Sequence, residues 1–75
     1  MKLSFSEQYI KLGLNIAYYR KLRGYTQEQL AEKLGIDRTH VGRIETANVG
    51  ASLDVLFALA EILEVPVNKF FEFRD

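Results

Sequence analysis

The chain has 75 residues, 48% of them apolar, and its ten basic and ten acidic side chains cancel to a net charge of zero. That length supports one domain with a core small enough to be marginal, and the absence of cysteine excludes disulfides and thiolate metal sites. The N-terminal M-K-L-S-F-S-E-Q lacks a signal peptide's apolar stretch, and no run approaches the roughly 18 apolar residues of a membrane span, so a cytoplasmic location is expected.

The first helix is expected over about 5–23. Ser4 and Glu7 make an S-x-x-E capping box, after which Tyr9, Leu12, Ile16, Tyr19 and Leu22 recur at helical spacing up to a stop at Gly24. Gly13 inside this run costs about 1 kcal/mol relative to alanine, which implies close packing there, a bend, or a later start.

Residues 26–45, T-Q-E-Q-L-A-E-K-L-G-I-D-R-T-H-V-G-R-I-E, encode two short helices joined by a glycine turn. Thr26 and Gln29 form a T-x-x-Q capping box, with Tyr25 and Leu30 as the hydrophobic staple. Leu30, Ala31 and Leu34 then mark the buried face of a helix over about 27–34. Gly35 supplies the left-handed residue that ends it. Asp37 is the N-cap of a third helix over about 38–46, with Ile36 and Val41 as its staple and Val41 and Ile44 turned inward. Arg38, Thr39, Gly42 and Arg43 are left outside. Ala31 falls where two steeply crossing helices come closest. This is a helix-turn-helix layout, although an ordinary helical hairpin shares its spacing.

After a loop at 48–51, Ser52 caps a fourth helix over about 53–63, with Leu53, Leu56, Phe57, Ala60 and Leu63 on its buried side. Pro66 starts a short fifth helix over about 66–71, where its missing N–H is harmless. The expected fold is all-α, a compact five-helix domain without strands.

Charge is unevenly placed along the chain. From Lys11 to Arg43 seven basic residues (Lys11, Arg20, Lys21, Arg23, Lys33, Arg38, Arg43) face three acidic ones (Glu28, Glu32, Asp37), whereas from Ile44 onward two basic residues face six acidic ones. Zero net charge argues against a nucleic-acid partner, but this asymmetry suits a molecule with one face toward phosphate. Scattered solvated charge is the plainer alternative.

Through T-Q-E-Q-L-A-E-K-L-G, D-R-T-H-V-G-R-I-E and S-L-D-V-L-F-A-L-A-E-I-L-E-V-P, residues 12 to 73 resemble the lambda-repressor-like, or Xre-type, helix-turn-helix regulators. The resemblance implies a DNA-binding domain whose helices two and three form the motif. It places base readers at Arg38, Thr39, Gly42 and Arg43, backbone anchors at Thr26 and Gln27, and an ion pair between Arg20 and Glu45 tying the first helix to the end of the third. Chemically, Arg38 and Arg43 are each able to fork onto guanine O6 and N7 or to grip a phosphate, and Thr39 to bond a base or touch a thymine methyl. The Gln27 amide and the free N–H groups of its helix suit a phosphate.

Three departures stand out. Gly42 replaces the polar residue common in such proteins, the loop from Ala47 to Ala51 lacks basic residues, and His40 takes a frequently aromatic position. His40 is read as half-packed and within reach of a phosphate, and not as a metal ligand, since no second histidine or cysteine accompanies it.

A domain of this size covers about half an operator, and two half-sites lie about 34 to 36 Å apart, so a homodimer is expected. Phe70, Phe71 and Phe73 exceed what one helical face buries and are its candidate surface; the alternative is that Phe70 and Phe71 close the core and Phe73 caps it. With no phosphate loop and no nucleophile paired to a base, catalysis is not expected; Glu61 and Glu64 read as a solvated face. No cofactor, metal or small-molecule effector is implied. The function expected is a sequence-specific regulator of double-stranded DNA, a repressor or autoregulator. The alternative is an antitoxin or adaptor binding a protein partner through the acidic, Phe-rich second half. D-R-T-H and S-L-D-V-L also look like restriction-modification controllers and small repressors of mobile elements.

Overall fold

A computed structural model describes residues 5–73, which form four α-helices and one 3₁₀ turn with no strand among them: α1 (Ser6–Leu22), α2 (Gln27–Leu34), α3 (Arg38–Glu45), α4 (Leu53–Leu63) and the turn Val67–Phe71. The expected fifth α-helix is therefore corrected to a 3₁₀ turn. Pro66 is its N-cap, Lys69 N donates to Pro66 O at 2.9 Å, and the Phe70 and Glu72 carbonyls accept from Asn15 Nδ2 of α1 at 2.8 and 3.2 Å. A five-residue segment with the Phe70 carbonyl held by α1 takes the tighter i→i+3 bonding.

Three helices end in the same way. Tyr25 N donates to Arg20 O and Gly24 N to Lys21 O; Ile36 N donates to Ala31 O and Gly35 N to Glu32 O; Val65 N donates to Ala60 O and Glu64 N to Glu61 O. Each is a Schellman motif around a left-handed residue, with φ of +80° at Gly24, +73° at Gly35 and +55° at Glu64. The third lacks the glycine that makes this conformation free, and it is braced instead by Arg23, whose Nε donates to Leu63 O at 2.7 Å and Nη2 to Glu64 O at 3.3 Å.

At the helix starts, Thr26 accepts from Gln29 N at 3.0 Å while Gln29 Oε1 accepts from Thr26 N at 2.9 Å, the full capping box, and Ser52 accepts from Val55 N at 3.1 Å. Asp37 holds the N-cap position of α3 without a side-chain capping bond. The proposed Ser4 cap lies outside the described residues; α1 begins after Phe5, which makes no side-chain cap bond.

The core gathers Leu12 and Ile16 of α1, Leu30 and Ala31 of α2, Val41 and Ile44 of α3, and Leu56, Leu59 and Leu63 of α4, closed by Val65 and Phe70. Leu22, Leu53 and Phe57, expected inside, are exposed, while Leu59 takes a core place. Helix α4 reads L-D-V-L-F-A-L-A-E-I-L, apolar on nearly every side, and periodicity alone does not select the buried face of such a helix.

Gly13 is explained by close packing. A Cβ there would lie 2.5 Å from Glu45 O and 2.7 Å from Ile44 O, so the last turn of α3 rests directly on the α1 backbone. Only glycine permits that approach.

Candidate nucleic-acid interface

The second and third helices present their polar faces from a fixed frame. Val41 and Ile44 anchor α3 in the core, and on its other side Arg38, Thr39, His40 and Arg43 are exposed. His40 is thus exposed and not half-packed as expected. The outer surface of α3 lacks a side chain at Gly42, where an added Cβ would lie 3.8 Å from both the Oε1 and Nε2 atoms of Gln27. That is ordinary van der Waals contact, so the Gln27 amide lies alongside α3 without needing a glycine there.

What fixes the angle between the motif and α1 is one buried cluster. Arg20 Nε donates to Glu45 Oε2 at 2.6 Å and Nη2 to Glu45 Oε1 at 3.1 Å, a forked pair whose side chains are almost wholly removed from solvent. The third guanidinium nitrogen, Nη1, donates to Tyr25 O at 2.8 Å, and Gln27 Nε2 donates to Glu45 Oε1 at 3.0 Å. Planar geometry lets arginine satisfy three acceptors in one plane, and no buried side-chain polar atom among the described residues is left without a partner. Arg20, Glu45 and Gln27 thus join α1, α3, α2 and the loop before α2. The resemblance makes Gln27 a backbone anchor; here it is half-buried and one of its two N–H groups is committed to Glu45.

The basic stretch divides by use. Arg20 is in the buried pair and Arg23 in the end of α4, while Lys11 lies 3.6 Å from Glu7. Lys21, Lys33, Arg38 and Arg43 are exposed, as is Arg23 despite its bonds to the end of α4. Glu28, Glu32 and Asp37 are exposed as well, so the motif's exposed charges balance and its positive character rests on where Arg38 and Arg43 sit on α3, not on a net excess.

The roles of Arg23, of Asn15 and of the Gln27–Glu45 bond were not readable beforehand, because each joins residues between 18 and 57 positions apart and no local spacing marks such a contact. Thr46 is a smaller case: its hydroxyl donates to Gly42 O at 2.8 Å and accepts from Asn48 Nδ2 at 2.8 Å, which secures the end of α3. The three phenylalanines separate as well. Phe70 is fully buried in the core and is withdrawn as a surface between copies; Phe71 is exposed, and Phe73 is half-buried beside Lys11. Among the described residues, no cluster of histidine, cysteine and acidic side chains is placed to hold a metal, and no helix is long and apolar enough to cross a membrane.

Comparison with known proteins gives a consistent picture. Residues 16–70 match a family model described as helix-turn-helix. An HTH-type transcriptional regulator of Methanocaldococcus jannaschii, MJ0272, is 37% identical over 60 residues, covering 80% of this chain and 91% of that one. The restriction-modification controller protein C.AhdI of Aeromonas hydrophila superposes with a TM-score of 0.82 at 31% identity, covering 87% of this chain and 98% of that one. SinR, a master regulator for biofilm formation solved in complex with DNA, superposes with a TM-score of 0.75 at 31% identity, covering 81% of this chain and 98% of that one.

Proposed function

The chain belongs to the lambda-repressor-like, Xre-type helix-turn-helix family of DNA-binding transcriptional regulators, which are not enzymes, and from that premise we propose that it recognises a specific operator by laying α3 in the major groove. The observation that carries the reading is the exposure of Arg38, Thr39, His40 and Arg43 along one face of a helix whose opposite face is locked in the core. A rigid helix is what base readout needs, since a bidentate arginine–guanine contact discriminates by about 1–3 kcal/mol only if its fork is held in register. Arg38 and Arg43 read guanines or grip phosphate, Thr39 touches a base, and His40 reaches a phosphate. Thr26 and the second N–H of Gln27 sit at the start of α2, where they approach the backbone and set the depth of entry.

The domain acts as a homodimer, matching two half-sites. Phe71 on the 3₁₀ turn, with Leu53 and Phe57 on α4, supplies exposed apolar surface for it; Phe73 contributes only its rim. Similarity to a restriction-modification controller protein supports reading it as a repressor or autoregulator of transcription.

Selecting binding sites from a random duplex pool and then methylating guanine N7 tests the reading. Methylation at selected guanines in the major groove is expected to block binding. Binding that is blind to N7 methylation, but sensitive to minor-groove modification, would remove α3 as the reader.

A further inference from the structure

The side of α1 turned away from the core carries a pattern that the DNA interface does not use. At 3.6 residues per turn, Glu7, Ile10, Tyr18 and Lys21 all project within about 40° of Leu14. Ile10, Leu14 and Tyr18 are 50%, 62% and 43% exposed, an apolar strip of spacing i, i+4, i+8, with an acid at its N-terminal end and a base at its C-terminal end. Glu7, Leu14 and Lys21 recur every seven residues, the spacing of a helix that faces another helix. Beside the strip lies an open groove of about 250 Å³ lined by Lys11, Leu14, Asn15, Tyr18 and Phe73, and the Tyr18 ring is held edge-on against Tyr19 at 5.0 Å.

We propose that this face is a self-association surface, on which α1 of one copy packs antiparallel against α1 of a second. The charges select the occupant and its direction. A two-fold axis through Leu14 sets Leu14 on Leu14 once, and Ile10 on Tyr18 and Glu7 on Lys21 twice each, because the members of those two pairs lie equally far from position 14. Parallel packing would set Glu7 on Glu7 and Lys21 on Lys21. The surface is self-complementary, as an isologous contact requires. One short helix face falls below the roughly 800 Å² per partner of a stable interface. The contact is therefore weak in free solution and gains strength when DNA holds copies side by side at high effective concentration. It lies on a different element from Leu53, Phe57 and Phe71, so it adds an assembly step and does not depend on the dimer proposed above.

Sedimentation velocity over a concentration series, on the full chain, tests the proposal. Leu14→Glu sets two carboxylates face to face and should weaken the step by at least about tenfold. Glu7→Lys and Lys21→Glu should each weaken it by about two- to fivefold, and the double variant should recover the wild-type behaviour. Whether the wild type goes from monomer to dimer or from dimer to tetramer, Leu14→Glu should stop one step earlier, which separates this surface from the C-terminal one. Because the chain has no cysteine, Leu14→Cys should form a disulfide-linked pair on mild oxidation well before Gln8→Cys, exposed on another side of α1. Identical sedimentation of wild type and Leu14→Glu, no recovery in the double variant, or equal crosslinking at positions 8 and 14 would each overturn it.

Discussion

Replacing Gly13 by alanine should destabilise the protein, although in most helices the same change stabilises by about 0.5–1 kcal/mol. The sign turns on the distance between α1 and α3: the new Cβ would sit 2.5 Å from Glu45 O, 2.7 Å from Ile44 O and 2.9 Å from Glu45 C. These are backbone atoms, so no side-chain rotation relieves the clash, and α3 must move outward by several tenths of an ångström. Overpacking of a fitted interior costs about 1–3 kcal/mol. A contact against backbone falls at the upper end, and the gain in helix propensity returns about 1 kcal/mol, for a net loss of about 2 kcal/mol. In a domain of this size that lowers Tm by about 8–16 °C. Thermal and urea unfolding followed by circular dichroism would measure it, with Gly50→Ala beside it. There the nearest atom to a new Cβ is on the Tyr9 ring, at 3.1 Å, and the ring is able to shift. A Gly13→Ala protein as stable as the wild type or more so would refute the argument, since α1 and α3 could not then lie so close.

Arg20→Ala leaves the Glu45 carboxylate buried with only Gln27 for company and should cost about 3–5 kcal/mol by urea unfolding, whereas a paired Arg20→Met, Glu45→Leu change should cost less. A paired variant no more stable than Arg20→Ala would contradict that. Glu64→Gly should raise stability by about 0.5–1 kcal/mol, the left-handed cost at φ +55° less the entropy of glycine; a loss would show that the Glu64 side chain contributes in some other way. Arg23→Ala should lower stability by about 1 kcal/mol through the end of α4 yet leave the salt dependence of DNA binding unchanged, and a shallower salt slope would place Arg23 on phosphate instead. Phe57→Ser with Phe71→Ser should shift the dimer to monomer in sedimentation without unfolding it; retention of the dimer would move that interface elsewhere.

The motif was legible because its signals are local. Thr26 and Gln29, Gly35, and the inward pair Val41 and Ile44 each act over three to five positions, and each holds its expected place. Gly13 was legible as an anomaly, but the carbonyls that explain it come from the far end of α3. Helix α4 was misread on one side because Leu53, Phe57 and Leu59 are equally apolar, and only tertiary packing decides which of them is covered. The apparent basic stretch misled for a related reason: the number of arginines is visible in the chain, but the acceptors that occupy Arg20 and Arg23 lie 25 and 40 residues away.

The central claim, that α3 reads DNA through its exposed arginines, is tested most directly by the affinity of the protein for a fluorescent duplex carrying the region upstream of its own gene. The titration is run at several salt concentrations for the wild type, Arg38→Ala and Arg43→Ala. Tight, sequence-selective binding that falls steeply with salt is predicted. A base-reading arginine, once removed, should relax specificity at one position at a cost of about 1–3 kcal/mol, and a phosphate-gripping one should weaken all sequences alike and reduce the salt slope by about 1. Weak binding, equal on any duplex and indifferent to both substitutions, would contradict the account and turn the search to a protein partner.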